Sequence, residues 1–198
     1  MTQSIEIQVL QKIKRNPRGT IFFMENFGNI SNTKSVNKAL ERLVNSGEIE
    51  RVAQGIYVRS VIDNYIGKVL PSIEDIAKAI AKRDRATIVP TGSYAMYKLG
   101  LTTQVPLNIV LYSDTSARKI KIGKQTITLK KASSKNLAFI GEISTLAIQA
   151  FRTIGKDQVT AEEIKKIKKI LINENPKHLQ HDLQLAPVWI RKLISTNE

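Results

Sequence analysis

The sequence predicts an α+β protein in two parts, and three observations carry that expectation. The first sixty residues run helix, short helix, amphipathic helix, hairpin. The middle of the chain alternates short strands with a short helix and then turns into a lysine-rich hairpin. The last sixty residues are helical again, with glycine and proline marking the breaks.

Residues 4–14 place Ile5, Val9, Leu10 and Ile13 at the spacings of one helical face, and Asn16-Pro17 ends the run. Residues 22–27 form a short apolar segment, read as a short helix and closed by Gly28. Ser31 or Asn32 caps a helix in which Val36, Ala39, Leu40, Leu43 and Val44 make the buried stripe. Gly47 supplies the left-handed residue that ends it. Residues 48–53 and 56–59 alternate apolar and polar side chains around Gln54-Gly55, a two-residue hairpin signal. This order is that of a winged helix-turn-helix domain over residues 1–60. A small α+β subdomain used for protein contact gives the same pattern.

Once the core stripe of the third helix is set aside, Asn32, Thr33, Lys34, Ser35, Asn37, Lys38, Glu41 and Arg42 remain on its outer face. The first half of that face carries amide, hydroxyl and lysine side chains and no acid. Recognition helices present such residues to the major groove, where Asn reads adenine and Lys reads guanine. Arg42, further along, is placed for phosphate. Arg51, Gln54 and Arg59 on the hairpin reach the backbone or an adjacent minor groove, as wings do. Glu41 either pairs with Lys38 or Lys34 or sits outside the contact. A merely solvated face has the same composition.

After Arg59 the texture changes, and residues 61–198 are expected to form a mixed α/β domain ending in helices. VIDNYIGKVLP reads as a connector. Ser72 and Asp75 make a capping box ahead of Ile73, Ile76, Ala77 and Ile80. A strand over 87–89, a short helix over 93–99 and a buried strand over 107–112 follow. ARKIKIGKQTITLKK alternates as a two-stranded hairpin turning at Gly123-Lys124. Helices are expected over 144–154, over 160–172 behind a Thr160–Glu163 capping box, and around 179–185 and 187–194.

Composition narrows the partners. The formal net charge is +14 and the isoelectric point about 10.0. Residues 1–60 carry nine Lys/Arg against five Asp/Glu, and residues 61–198 carry 22 against 12. A basic excess of this size points to a polyanion, usually nucleic acid; a generic lysine-rich surface is the competing explanation. There is no cysteine, so disulfides and cysteine-ligated zinc are excluded. No run approaches the roughly 18 apolar residues of a membrane span, and MTQSIEIQVLQK lacks the apolar centre of a signal peptide. A cytoplasmic protein without membrane attachment is expected.

Four segments carry a family resemblance: RVAQGIYVR, IGKVLPSIEDIAKAIAKRD, VPTGSYAMYKLGLTTQVP and ITLKKAS in the basic hairpin. They resemble the AbiEi-type antitoxins of bacterial type IV toxin–antitoxin systems, in particular a shorter branch of transcriptional regulators. The similarity runs over roughly residues 5–175, and VPTGSYAMYKLGLTTQVP is its most specific part. The resemblance implies an N-terminal winged helix that binds operator DNA near its own promoter. It further implies a C-terminal antitoxin domain countering a nucleotidyltransferase-like toxin without a stable complex. The expected protein is therefore a DNA-binding autoregulator and antitoxin, two copies of which fill an inverted repeat with half-sites one helical turn apart. The alternative is a protein-interaction or RNA-binding module without operator recognition.

No catalytic constellation or cofactor is expected. Gly92-Ser93 resembles the Gly-Ser of nucleotidyltransferases, but the strand that follows offers only Asp114, and one carboxylate cannot build a two-metal site. Gly92 making a tight turn and Ser93 capping a helix is the simpler expectation. His178 and His181 lie one helical turn apart with Asp182 beside them, a weak metal pattern without cysteine, and no metal site is expected. Nothing local pairs a base with a nucleophile. Arg118, Lys119, Lys121, Lys124, Lys130, Lys131 and Lys135 form a second basic patch without an intervening acid. Alternation puts Lys119 and Lys121 on one face and Ile120 and Ile122 on the other. Such lysines protect a strand edge, extend a DNA footprint, or meet tRNA, the toxin or its nucleotide substrate.

Overall fold

The protein is described here as a computed structural model over residues 4–195; the expected outer domain limits at residues 1 and 198 lie outside these. It is a mixed α/β chain that clusters into two compact units. One gathers the chain up to Ile80 with Lys121–Gly123, the other Ala81–Ile120 with the chain from Lys124 onward.

In the first unit, α1 (Ile5–Lys14) starts at Ser4, whose hydroxyl accepts from the Ile7 N–H at 3.3 Å. Strand β1 (Ile21–Phe23) and a 3-10 turn (Met24–Phe27) follow, then α2 (Thr33–Asn45), β2 (Glu50–Ala53) and β3 (Ile56–Val58). The segment expected as a short helix is thus split. Its first part is extended because Phe22 and Phe23 pair with Tyr57 and Ile56 of β3, and a three-residue ladder buries two phenylalanines that a lone helical turn would leave half exposed. The sheet order is β1-β3-β2, antiparallel throughout, with β3 in the centre and wholly buried. Register slips between Arg51 and Ala53, so Val52 is a bulge beside the Gln54-Gly55 turn, where Gly55 has φ 71°. The core joins Val9 and Ile13 of α1, Leu40 and Leu43 of α2, Phe27 and Tyr57.

Residues expected as a connector instead form a second hairpin, β4 (Val61–Asp63) with β5 (Gly67–Val69). Asp63 closes its turn by accepting from the Tyr65 and Ile66 N–H groups at 2.8 and 3.0 Å. Lys68 reaches Glu50 of β2 at 2.6 Å. This hairpin groups with the first unit, which continues to Ile80 within α3 (Ile73–Asp84). The Ser72–Asp75 capping box at the start of α3 forms as expected.

A four-stranded sheet of order β6-β7-β9-β8 is made by β6 (Ile88–Thr91), β7 (Asn108–Ser113), β8 (Arg118–Ile122) and β9 (Gln125–Lys131), and all of it but Lys121 and Ile122 belongs to the second unit. Strands β6 and β7 run antiparallel, β7 and β9 parallel. Helix α4 (Gly92–Lys98) connects β6 to β7. Thr91 is its N-cap, and Gly92, at φ 65°, is its first residue; Ser93 sits inside the first turn and is not the cap. The positive φ that Gly92 permits sets the helix start one residue earlier than expected. After α5 (Ser134–Leu137) comes α6 (Glu142–Ile154), buried continuously from Ser144 to Phe151, then α7 (Ala161–Leu171), α8 (Pro176–Leu185) and α9 (Val188–Ser195). Phe151, Ile148, Ile167, Leu171 and Ile190 form the helical core. No helix among the described residues is long and apolar enough to cross a membrane.

Candidate nucleic-acid interface

Helix α2 sets the geometry. Its buried stripe of Val36, Ala39, Leu40 and Leu43 turns Lys34, Asn37, Lys38, Glu41 and Arg42 outward, at the i, i+3, i+4, i+7, i+8 spacing of one face, and all five are exposed. Thr33 is exposed and Ser35 half-buried. Asn32 is the N-cap: its Oδ1 accepts from the Ser35 N–H at 2.9 Å. That bond uses one of the two lone pairs of Oδ1 and ties the side chain to the helix start, leaving the amide NH2 and the second lone pair for an outside contact. Arg42 pairs with Glu6 of α1 at 3.6 Å, a contact between segments distant in sequence. Glu41 makes no ion pair with Lys38 or Lys34 among the described residues.

Arg51 on β2 and Gln54 in the turn are exposed, whereas Arg59, just past β3, is half-buried and its backbone carbonyl accepts from the Gly19 N–H at 2.8 Å. Ile49 and Tyr57 share the core with Leu43, so the β2–β3 hairpin and α2 are held in one unit.

In the second basic patch Arg118 differs from the six lysines. Arg118 is bound to the Asp84 carboxylate and is withdrawn from any outside anion. Hydrogen bonding from Arg83, opposed by partial burial and aided by Arg118, holds the Asp84 carboxyl below its ordinary range. Lys119 and Lys121 are exposed while Ile120 and Ile122 are half-buried, as alternation requires, and β8 is an edge strand. Lys124, Lys130, Lys131 and Lys135 are exposed around the hairpin turn and the end of β9.

Asp114, the lone carboxylate at the end of the strand after Gly92-Ser93, has a structural partner. Asp114 accepts from the Thr87 N–H at 3.1 Å and so anchors the start of β6. Ser144 is fully buried and donates to Asp182; His181 meets the same carboxylate through Nδ1 at 2.9 Å. Among the described residues, no three His, Asp or Glu side chains gather as metal ligands would.

That carboxylate belongs to a feature that sequence reasoning misses. Asp182 accepts from the Ile140 and Gly141 N–H groups, both at 2.9 Å, and Glu174 Oε2 accepts from Ile143 and Ser144 N–H at 2.7 and 2.9 Å. Two acids from around α8 thereby cap α6, whose own N-cap, Gly141, has no side chain to do so. Burial pushes both carboxyls up, but hydrogen bonds outweigh it, from Ser144, His181 and backbone at Asp182 and from backbone at Glu174, so both lie below their ordinary range. The local signal is Glu174-Asn175-Pro176, a helix start, but nothing in the sequence ties it to residues 140–144.

A family model described as a family of unknown function, DUF6088, matches residues 8–179. The chain belongs to the DUF6088 family. The DUF6088 match runs from α1 into α8, so every residue discussed for nucleic-acid contact lies within it. No curated protein matches the chain. Among solved structures, the chain is similar to the RV2827C protein from Mycobacterium tuberculosis, at 11% identity and a TM-score of 0.48 over 100% of this chain and 84% of that one.

Proposed function

We propose that the chain is a DNA-binding transcriptional autoregulator whose first unit is a winged helix-turn-helix, and that it serves as the antitoxin of a type IV toxin–antitoxin pair in the cytoplasm. One observation carries the DNA reading: the N-terminal half of α2 exposes Thr33, Lys34, Asn37 and Lys38 with no acid among them, ahead of the β2–β3 hairpin, on which Arg51 and Gln54 are exposed. In this reading α2 enters the major groove, Asn37, Lys34 and Lys38 meet base edges, and Arg42, Arg51, Gln54 and Arg59 hold backbone. Asn32 and Ser35 contribute through the helix start. Two copies occupy an inverted repeat upstream of the chain's own reading frame.

The antitoxin part is supported by the resemblance of VPTGSYAMYKLGLTTQVP, which spans β6, α4 and the loop into β7. The chain is read as non-enzymatic, because the strand after Gly92-Ser93 offers only Asp114 as a carboxylate, and that side chain is taken up by the Thr87 N–H. The direct test is a mobility-shift titration with the upstream DNA. It should be preferred over a scrambled duplex at physiological salt, and Lys38→Ala should weaken that preference by about 1–3 kcal/mol. Equal affinity for both duplexes sinks the autoregulator reading. Co-expression with a nucleotidyltransferase-like product of the neighbouring gene should relieve growth arrest; persistent arrest sinks the antitoxin part alone.

A further inference from the structure

Beside α2 there is a polar surface groove that the interface described above does not use. One wall is the face of α1 carrying Gln8, Gln11, Lys12 and Arg15, spaced i, i+3, i+4, i+7, and the other is Asn29 and Ile30. Lys12 is fixed in place: its ammonium donates to the Asn26 carbonyl and to Asn29 Oδ1 at 3.0 Å, and lies 5.9 Å from the centre of the Phe27 ring. All of these partners are neutral. No carboxylate lines the groove, and neither Lys12 nor Arg15 has an ion-pair partner among the described residues, in contrast to Lys14, which meets Glu48 at 3.4 Å. Lys12 is half-buried and has no counter-ion among the described residues, so its charge is available to an incoming anion. Arg15 and Gln11 are exposed and add a guanidinium fork and an amide.

The position says which anion. Asn29 lies three residues ahead of Asn32, the cap of α2. A groove at that end of a helix lying in the major groove faces the sugar–phosphate strand beside the bases being read. We infer that the groove takes a backbone phosphate of duplex DNA, Lys12 and Arg15 supplying the charge and Gln11 a hydrogen bond. The inference rests on the DNA-binding reading and adds an anchor that fixes how deep α2 sits.

The test uses the full chain, a labelled duplex of its upstream DNA and a scrambled duplex of the same length, titrated over a range of salt. Arg15→Ala should weaken both duplexes by the same factor, roughly 3- to 10-fold, and reduce the slope of log affinity against log salt by about 1. Gln11→Glu, which places a like charge against the phosphate, should weaken both at least as much. Both side chains are exposed, and matching thermal unfolding curves establish that the variants fold. If the wild type binds while these variants keep its affinity and slope, the groove assignment is overturned and the DNA reading stands. Loss confined to the upstream duplex also overturns it, since a phosphate contact is blind to sequence. A wild type that binds neither duplex overturns both.

Discussion

Gly141 has an ordinary backbone, φ −83° and ψ 136°, yet a side chain there would have to displace the groups that cap α6. A Cβ at this position would collide with Ser144 Oγ and stand 2.7 Å from Glu174 Oε2, inside the cluster that caps α6. Gly141→Ala should therefore destabilise the protein by about 1–3 kcal/mol, by overpacking and not by backbone strain, as measured by urea unfolding. The capping acids make a second, pH-dependent prediction. Asp182 and Glu174 have carboxyls lowered in the folded state, so the folded chain binds fewer protons than the unfolded chain around pH 4. Their contribution is complete above the unfolded carboxylate values and disappears as pH falls through the lower folded ones. Asp182→Asn should cost about 2–4 kcal/mol at pH 7, since buried N–H donors and Ser144 lose an ionised acceptor. The gap to wild type should narrow between about pH 5 and pH 2; a gap independent of pH would contradict the ionised cap.

At the scale of elements, α1 and α2 are joined by more than their shared core. Glu6 of α1 holds Arg42 of α2, at an exposed pair whose own stabilisation is about 0–1 kcal/mol. That small value means the pair competes only weakly with a phosphate, and also that it can be removed without harm to the fold. Glu6→Gln should leave thermal stability within about 0.5 kcal/mol and tighten duplex binding a few-fold, with a steeper salt dependence, because Arg42 is released and an acid is removed. Unchanged binding would show that Arg42 does not meet phosphate. The same elements show what was legible in the sequence. The α2 stripe, its glycine stop and the Gln54-Gly55 turn follow from local periodicity and turn chemistry, as do the Ser72 and Thr160 capping boxes. What local patterns cannot report is pairing across the chain. Phe22 and Phe23 look helical or extended equally well until β3 supplies partners, and VIDNYIGKVL shows no clean alternation because its two strands are three residues long and Asp63, ending the first, closes the turn between them. Arg42 and Arg118 look free in the sequence for the same reason, their acids lying 36 and 34 positions away.

For the whole molecule the question is which basic surface carries polyanion affinity, since the +14 net charge is spread over both units. Counterion release makes each phosphate neutralised visible in the salt dependence, whatever the sequence bound. Two sets of charge removals separate the surfaces. Lys34→Gln with Lys38→Gln touches α2; Lys124→Gln, Lys130→Gln and Lys131→Gln touches the hairpin of β8 and β9, where the lysines are exposed and unpaired among the described residues. In an operator-reading protein the α2 pair abolishes preference for the upstream duplex and lowers the salt slope by about 2, while the hairpin set lowers the slope, if at all, equally on every duplex. In an RNA- or protein-binding module the hairpin set removes most of the affinity and the α2 pair little. Lys119 and Lys121 are left in place because they lie on the edge strand β8, where loss of charge favours strand-to-strand aggregation that would mimic a binding defect. Fluorescence anisotropy over a salt series, on DNA and RNA duplexes and single strands, reads both outcomes on the intact chain. Retention of upstream-DNA preference after loss of Lys34 and Lys38 would remove α2 from the interface altogether.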